Sequence, residues 1–183
     1  MDITPLGLEG LLLIQLDMQG DHRGFFVERF NVDRFRAAGL PATFVQDNQS
    51  RSRPGVLRGL HYQHTPAQGK LVGVTRGRIY DAVADIRAGS PTFGRTYATE
   101  LSDMNGRLLW IPAGFAHGFA VLGDSPADLV YKVDAPYSAR GEGGILWNDT
   151  RLAIDWPIDD PVVSDRDRTL QTLDDYERAP AFQ

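Results

Sequence analysis

Short stretches in which apolar and polar residues alternate recur along the chain at intervals of roughly ten residues, with Gly and Pro punctuating the gaps. A period of two is the signature of strands with one buried face. It predicts strands over 24–29, 43–50, 56–63, 70–76, 78–87, 97–101, 108–111, 117–122 and 128–133. The Arg76-Gly77 step between the fourth and fifth of these reads as a hairpin turn. Only two stretches read as helix. One runs from Asn31, a good N-cap, to Gly39, a good terminator. The other starts at Ser164, with Asp165 and Asp167 in its first turn, and continues towards Leu173.

Many strands and few helices make an all-β fold. A cupin-type double-stranded β-helix (jelly roll) with a few short peripheral helices accommodates strands of this number and length. The 183 residues suit one domain over residues 1–183, and no composition break, repeat or low-complexity tract divides them. Hydrophobic residues, at 42%, are enough for a substantial core. The net charge of −5 argues against nucleic acid or an anionic membrane as partner, though a local Arg cluster can still hold phosphate. Absence of cysteine excludes disulfides, thiolate nucleophiles and Cys-based metal sites. The N-terminal apolar run, 11–14, is flanked by acidic residues and is too short for a leader or a span, so a cytoplasmic protein is expected.

Several predicted strands carry polar residues on the face that should be apolar. Gln46 and Asn48 alternate with Phe44, and Asp81 and Asp85 share a face with Ile79 and Val83. His117 sits between Phe115 and Phe119, and Tyr131 between Leu129 and Val133. Each could simply face solvent; together they fit a barrel interior lined with polar groups, where small molecules bind. The stretch from Arg58 to His64 is the most informative. Plain alternation puts Arg58 and His61 on opposite faces, and a bulge at Gly59 would realign them. A lone His is more often structural than catalytic, but Arg58 before it and Lys70 after it shift the balance.

Pro112, Gly114 and His117 form the Pro-x-Gly-x-x-His pattern of metal-binding cupins. Such a site also needs two His at i, i+2 with a carboxylate close by. His61 and His64 are three apart, and their imidazoles diverge on a regular strand, so no metal site is expected.

The ordered set of motifs Gly20–Glu28, Phe44–Asn48, Gly55–Gln63, Gln68–Val72, Asp85–Arg87 with Ser90–Gly94, Trp110–Phe119, Tyr131-Lys132 and Trp147–Asp149 resembles the dTDP-4-dehydrorhamnose 3,5-epimerase family. The likeness spans about residues 20–168. Family members are homodimeric cupins without metal or organic cofactor. The resemblance implies His61 as base, Tyr131 as opposing acid, Lys70 as the enolate stabiliser and Asp167 as the partner of His61. It implies Arg23 and Arg58 on the diphosphate, and Phe26, Glu28, Gln46, Asp47, Asn48 and Tyr137 around the thymidine. His117, Glu142 and Arg166 would line the site; position 166 is often Lys in the family. Asp85 lies close to the site in relatives, with its role open.

The implied reaction inverts C3 and C5 of dTDP-4-keto-6-deoxy-D-glucose, giving dTDP-4-keto-L-rhamnose. Both carbons flank the C4 ketone, so one oxyanion donor serves both enolates. Inversion needs a base of near-neutral pKa and a weak acid on opposite faces of the ring. The residues equally suit a relative inverting only one carbon of a dTDP-keto sugar. A non-catalytic sugar-nucleotide-binding cupin would have no need of His61, Lys70 and Tyr131 together.

Overall fold

The structure, a computed structural model, describes residues 1–183. Two antiparallel sheets face each other. The larger has the order β1 (Asp2–Pro5), β2 (Leu12–Gln15), β10 (Arg107–Ile111), β7 (Lys70–Arg76), β12 (Ala127–Val133), β5 (Gln46–Ser52). The smaller has the order β13 (Glu142–Gly144), β6 (Leu57–Gln63), β11 (Phe115–Val121), β8 (Arg78–Asp85), β9 (Thr96–Ser102). A separate hairpin joins β3 (Met18–Asp21) to β4 (Gly24–Val27). Three short helices complete the chain: α1 (Val32–Ala37), α2 (Asp165–Arg168) and α3 (Leu173–Arg178). This is the all-β, cupin-type jelly roll expected from the sequence.

Alternation explains how the sheets close. Val72 and Val74 of β7, Leu109 and Ile111 of β10, and Leu129 of β12 point inward. They meet Ile79 and Val83 of β8 and Phe115, Phe119 and Val121 of β11 in one buried cluster. The alternate residues face outward and are also covered. On the larger sheet Leu71, Leu108 and Trp110 pack under α1 through Phe35. On the smaller, Leu60, Tyr62, Ala84 and Ala116 pack under the C-terminal segment through Leu152, Leu173 and Tyr176. The polypeptide beyond β13 thus acts as a lid over the smaller sheet, and it also brings Asp167 to the edge of β6.

Four local expectations need correction. Arg76-Gly77 is not a hairpin turn: β7 pairs with β10 and β12, whereas β8 pairs with β11 and β9. Both strands bury a face in the common core, so the chain crosses between sheets there, at Gly77 with φ +72°. Phe44 does not share the face of Gln46; it precedes β5 and packs against Trp110 on the outer side. The helix begun at Ser164 ends at Arg168, and a second, capped by Thr172, starts at Leu173. β1 to β3 were not anticipated, because residues 2–21 lack sustained alternation and gain their order by pairing, β1 with β2, β2 with β10 and β3 with β4.

Candidate active site

The site begins with an irregularity in β6. His61 stands opposite His117 on β11, and Arg58 stands opposite Phe119, so three steps along β6 match two along β11. This is the bulge that aligns Arg58 with His61. It depends on Gly59, which has φ +127°. A Cβ there would lie 2.5 Å from Gly118 Cα and 2.9 Å from the His117 carbonyl. With the extra residue absorbed, Arg58 and His61 line one cavity of about 190 Å3, together with Ser50, Lys70, His117, Gly118, Phe119, Leu129 and Tyr131. A larger hollow, about 640 Å3, lies on the outer face of the larger sheet beside the Lys132–Asp47 ion pair. It contains no His, and the acid–base groups converge in the smaller cavity.

His61 is held from behind. Its Nε2 lies 2.7 Å from Asp167 Oδ1, and Asp167 Oδ2 accepts the Gly59 N–H at 3.1 Å. The Ser164 hydroxyl caps α2 by accepting the Asp167 N–H. Burial alone would raise the Asp167 pKa, but the bonds from His61, Gly59 and Ser164 outweigh it and hold the carboxyl below its ordinary value. An ionised Asp167 assigns the proton to Nε2, which leaves Nδ1 as the basic nitrogen. His117 has a carboxylate of its own: Nε2 is 2.8 Å from Oδ2 of the fully buried Asp81, whose Oδ1 has no partner.

Lys70 and Tyr131 come from the facing sheet. Burial brings the Lys70 ammonium down to about 8, opposed by the negative charges of Glu142 and Asp81. Tyr131 is pushed above its usual value by burial, then by Glu142 and Tyr137, with Arg58 opposing. Glu142, on β13, accepts from the Tyr137 hydroxyl at 3.2 Å and pairs with Arg166 at 2.9 Å. Arg58 donates from Nε to the Ser52 hydroxyl at 2.9 Å and forms no ion pair, so its charge is free for an anion.

The remaining sequence-derived residues divide. Gln46 and Asn48 lie on the inner face of β5 and bond to each other at 2.8 Å. Asp47 is on the opposite face, 2.7 Å from Lys132. Arg23 and Phe26 sit on the β3–β4 hairpin, Arg23 against Asp21 and Phe26 72% exposed. Glu28 follows that hairpin and pairs with Arg34 at 2.9 Å. None of these three lines the His61 cavity. Asp85 also stays out of it. Arg87, Ser90 and Thr92 satisfy its buried carboxylate, which makes it a structural clamp at the end of β8 on the turn that follows. No group of three or more His, Asp or Glu side chains is arranged to hold a metal ion.

Sequence reading missed Ser50, and it placed Asp81 on an inner face without pairing it to His117. Ser50 had a signal, since it continues the Gln46–Asn48 face.

The family model for dTDP-4-dehydrorhamnose 3,5-epimerase matches residues 5–175. The dTDP-4-dehydrorhamnose 3,5-epimerase of Pseudomonas aeruginosa is 47% identical over 98% of this chain and 100% of its own length. A crystal structure of a dTDP-6-deoxy-D-glucose-3,5-epimerase from Legionella pneumophila, in complex with dTDP-4-keto-L-rhamnose, is 45% identical. It superposes with a TM-score of 0.90, covering 94% of this chain and 93% of that one. A 3'-monoepimerase from Streptomyces bikiniensis, solved with dTDP-quinovose, is 36% identical with a TM-score of 0.90, covering 97% and 91%. Matches of this length and identity, on a fold that gathers His61, Lys70 and Tyr131 into one cavity, place the chain in the dTDP-4-dehydrorhamnose 3,5-epimerase family.

Proposed function

We propose that this protein inverts C3 and C5 of dTDP-4-keto-6-deoxy-D-glucose, giving dTDP-4-keto-L-rhamnose through enolate intermediates. The observation that carries this reading is that His61 on one sheet, backed by Asp167 of α2, and Tyr131 with Lys70 on the other sheet open into the same cavity. His61 Nδ1 removes the proton next to the ketone, and Asp167 stabilises the imidazolium that forms. The Lys70 ammonium faces the oxygen on which the enolate charge collects, in a site dry enough to make that charge effective. Tyr131, kept protonated by its surroundings, returns a proton to the opposite face. Because C3 and C5 flank one carbonyl, the same three groups serve both inversions, once His61 has released its proton to solvent and Tyr131 has regained one from it.

Arg58, free of any carboxylate, takes the diphosphate, with His117, Glu142 and Arg166 lining the sugar and Gln46, Asn48 and Tyr137 the thymidine. Arg23 and Phe26 lie on the exposed β3–β4 hairpin outside the His61 cavity of their own chain, and Glu28 borders the separate larger hollow; a second copy can bring such residues to a nucleotide in the cavity. A homodimer that lays the exposed β3–β4 hairpin over its partner's cavity does so. Asp47, on the far face of β5, acts through its strand neighbours Gln46 and Asn48. Residues 1–183 work as one domain, within cytoplasmic nucleotide-sugar metabolism.

The test is NMR of dTDP-4-keto-6-deoxyglucose incubated with the protein in deuterated water, with a rhamnose-forming reductase and NADPH in a parallel tube. Deuterium at both C3 and C5 with reductase turnover is expected. Deuterium at one carbon only would instead favour a monoepimerase, the activity named for the Streptomyces bikiniensis relative. No exchange at either carbon would remove the reading.

A further inference from the structure

Tyr137 is an exposed aromatic whose backbone is unusually well tied. The residue is 58% exposed, yet it lies between β12 and β13 in a segment pinned at every residue from Asp134 to Ser138. Asp134 accepts the Gly69 N–H at 2.7 Å, and the Ala135 carbonyl accepts from Gln68 Nε2 at 2.8 Å. The Tyr137 N–H donates to Gln46 Oε1 at 3.0 Å. The other two tethers belong to a single side chain. Gln63, at the end of β6 and 3% exposed, donates from Nε2 to the Pro136 carbonyl at 3.0 Å and accepts the Ser138 N–H on Oε1 at 2.8 Å. Its second Nε2 hydrogen goes to the Pro66 carbonyl at 2.8 Å.

This pattern specifies a carboxamide. Two carbonyls face the nitrogen and one N–H faces the oxygen, so a flipped amide or a glutamate would set oxygen against two carbonyl oxygens. An apolar residue of the same size would take the partner from three backbone groups at once, the Pro66 and Pro136 carbonyls and the Ser138 N–H. Nothing in that arrangement touches the His61 cavity. What it does is hold fixed the backbone on either side of an exposed aromatic ring. A ring presented this way binds a flat base without first having to be ordered, which is the usual source of affinity in a preorganised site.

We propose that Gln63 is a positioning residue for nucleotide recognition, its buried carboxamide fixing the segment 136–138 so that Tyr137 is held ready to stack on the base of the substrate. The inference rests on the reading of the substrate as a dTDP-sugar. The test is a double-mutant cycle with Gln63→Met and Tyr137→Ala, read as KM and kcat for dTDP-4-keto-6-deoxyglucose and as the Kd of dTDP by calorimetry. Tyr137→Ala is expected to raise KM and Kd about tenfold, in the range of aromatic truncations under a stacked base. Gln63→Met is expected to raise both about fivefold, with kcat within about twofold of wild type. In the Tyr137→Ala background its effect on KM and Kd disappears.

Wild-type KM and Kd for Gln63→Met, with Tyr137→Ala still impaired, would overturn the positioning role and leave the substrate reading intact. Unchanged dTDP affinity in Tyr137→Ala would remove the nucleotide role of Tyr137 itself, and the proposal with it. A loss in kcat that persists in the double variant would show that Gln63 acts on the β6 strand of His61 instead. Should Gln63→Met fail to fold, Gln68→Met removes the neighbouring tether to Ala135 from outside any strand. The same KM-only change, smaller in size, supports the proposal, and wild-type constants overturn it.

Discussion

His61 and His117 stand directly opposite each other on adjacent antiparallel strands, and each imidazole is backed by a different buried carboxylate. The pairs differ in exposure: the His61 side chain is 27% exposed, that of His117 8%. The more open pair has the access a base needs. His61→Ala is therefore expected to abolish exchange at both C3 and C5, with a loss in kcat of at least about a hundredfold. Asp167→Asn is expected to lower kcat substantially with little change in KM, because it acts on the tautomer and charge of His61 rather than on binding. Activity of His61→Ala within tenfold of wild type would mean the base lies elsewhere.

Gly59 is expected to tolerate no side chain. Gly59→Ala places a Cβ against the backbone of β11 at a φ that L residues avoid, and is expected to cost about 2 kcal/mol or more in urea unfolding. It is also expected to lose most activity, since Arg58 and His61 share a cavity only through the bulge. A variant with wild-type unfolding and turnover would show that the bulge is not needed.

The rate of enolisation is expected to fall as pH rises through about 8, where Lys70 loses its proton. Tyr131 is shifted upward and stays protonated in that range, so it does not account for this limb. Lys70→Arg, if it retains turnover, is expected to lose the limb, because a guanidinium does not titrate there. Folding stability responds with the opposite sign. The unfolded chain keeps this proton up to about 10.5 while the folded chain releases it near 8. The unfavourable contribution is therefore fully present below about 8 and fades as pH rises towards 10.5. A pH–rate profile of wild type unchanged in Lys70→Arg would assign the limb to another group.

Tyr131→Phe removes the acid but leaves base and oxyanion donor in place. Exchange of solvent deuterium into substrate is expected to persist at a larger fraction of wild type than net inversion does. Equal losses in both would make Tyr131 part of proton removal.

If a partner's hairpin completes the site, mixing two inactive variants restores turnover. Arg23→Ala with Phe26→Ala on one chain, and His61→Ala on the other, are expected to regain about a quarter of wild-type activity after subunit exchange. No recovery in a mixture shown to contain mixed dimers would place Arg23 and Phe26 outside the partner's site.

Much of the fold was legible because strand burial writes itself into sequence with a period of two. β7, β8, β10, β11 and β12 all carry it, and their inward residues form the central core. The polar exceptions on those faces pointed to the cavity, since His117, Tyr131, Asp81 and Asn48 occupy positions where a core residue would normally stand. Helix α1 was marked by Asn31 at one end and Gly39 at the other.

The sequence by itself therefore determined the class of fold, the strands and the chemical types gathered at the site, through local periodicity and residue chemistry. Only the tertiary structure decided which strand neighbours which. The Arg76-Gly77 step shows this, because a sharp turn looks the same whether it joins paired strands or carries the chain between sheets. Tertiary structure also decided that Asp167, more than a hundred residues along the chain from His61, bonds its Nε2, and that Arg23 and Phe26 lie away from that cavity. Those relations depend on how the C-terminal segment wraps the smaller sheet and how the β3–β4 hairpin projects. Both are products of packing between distant segments, which no local period records.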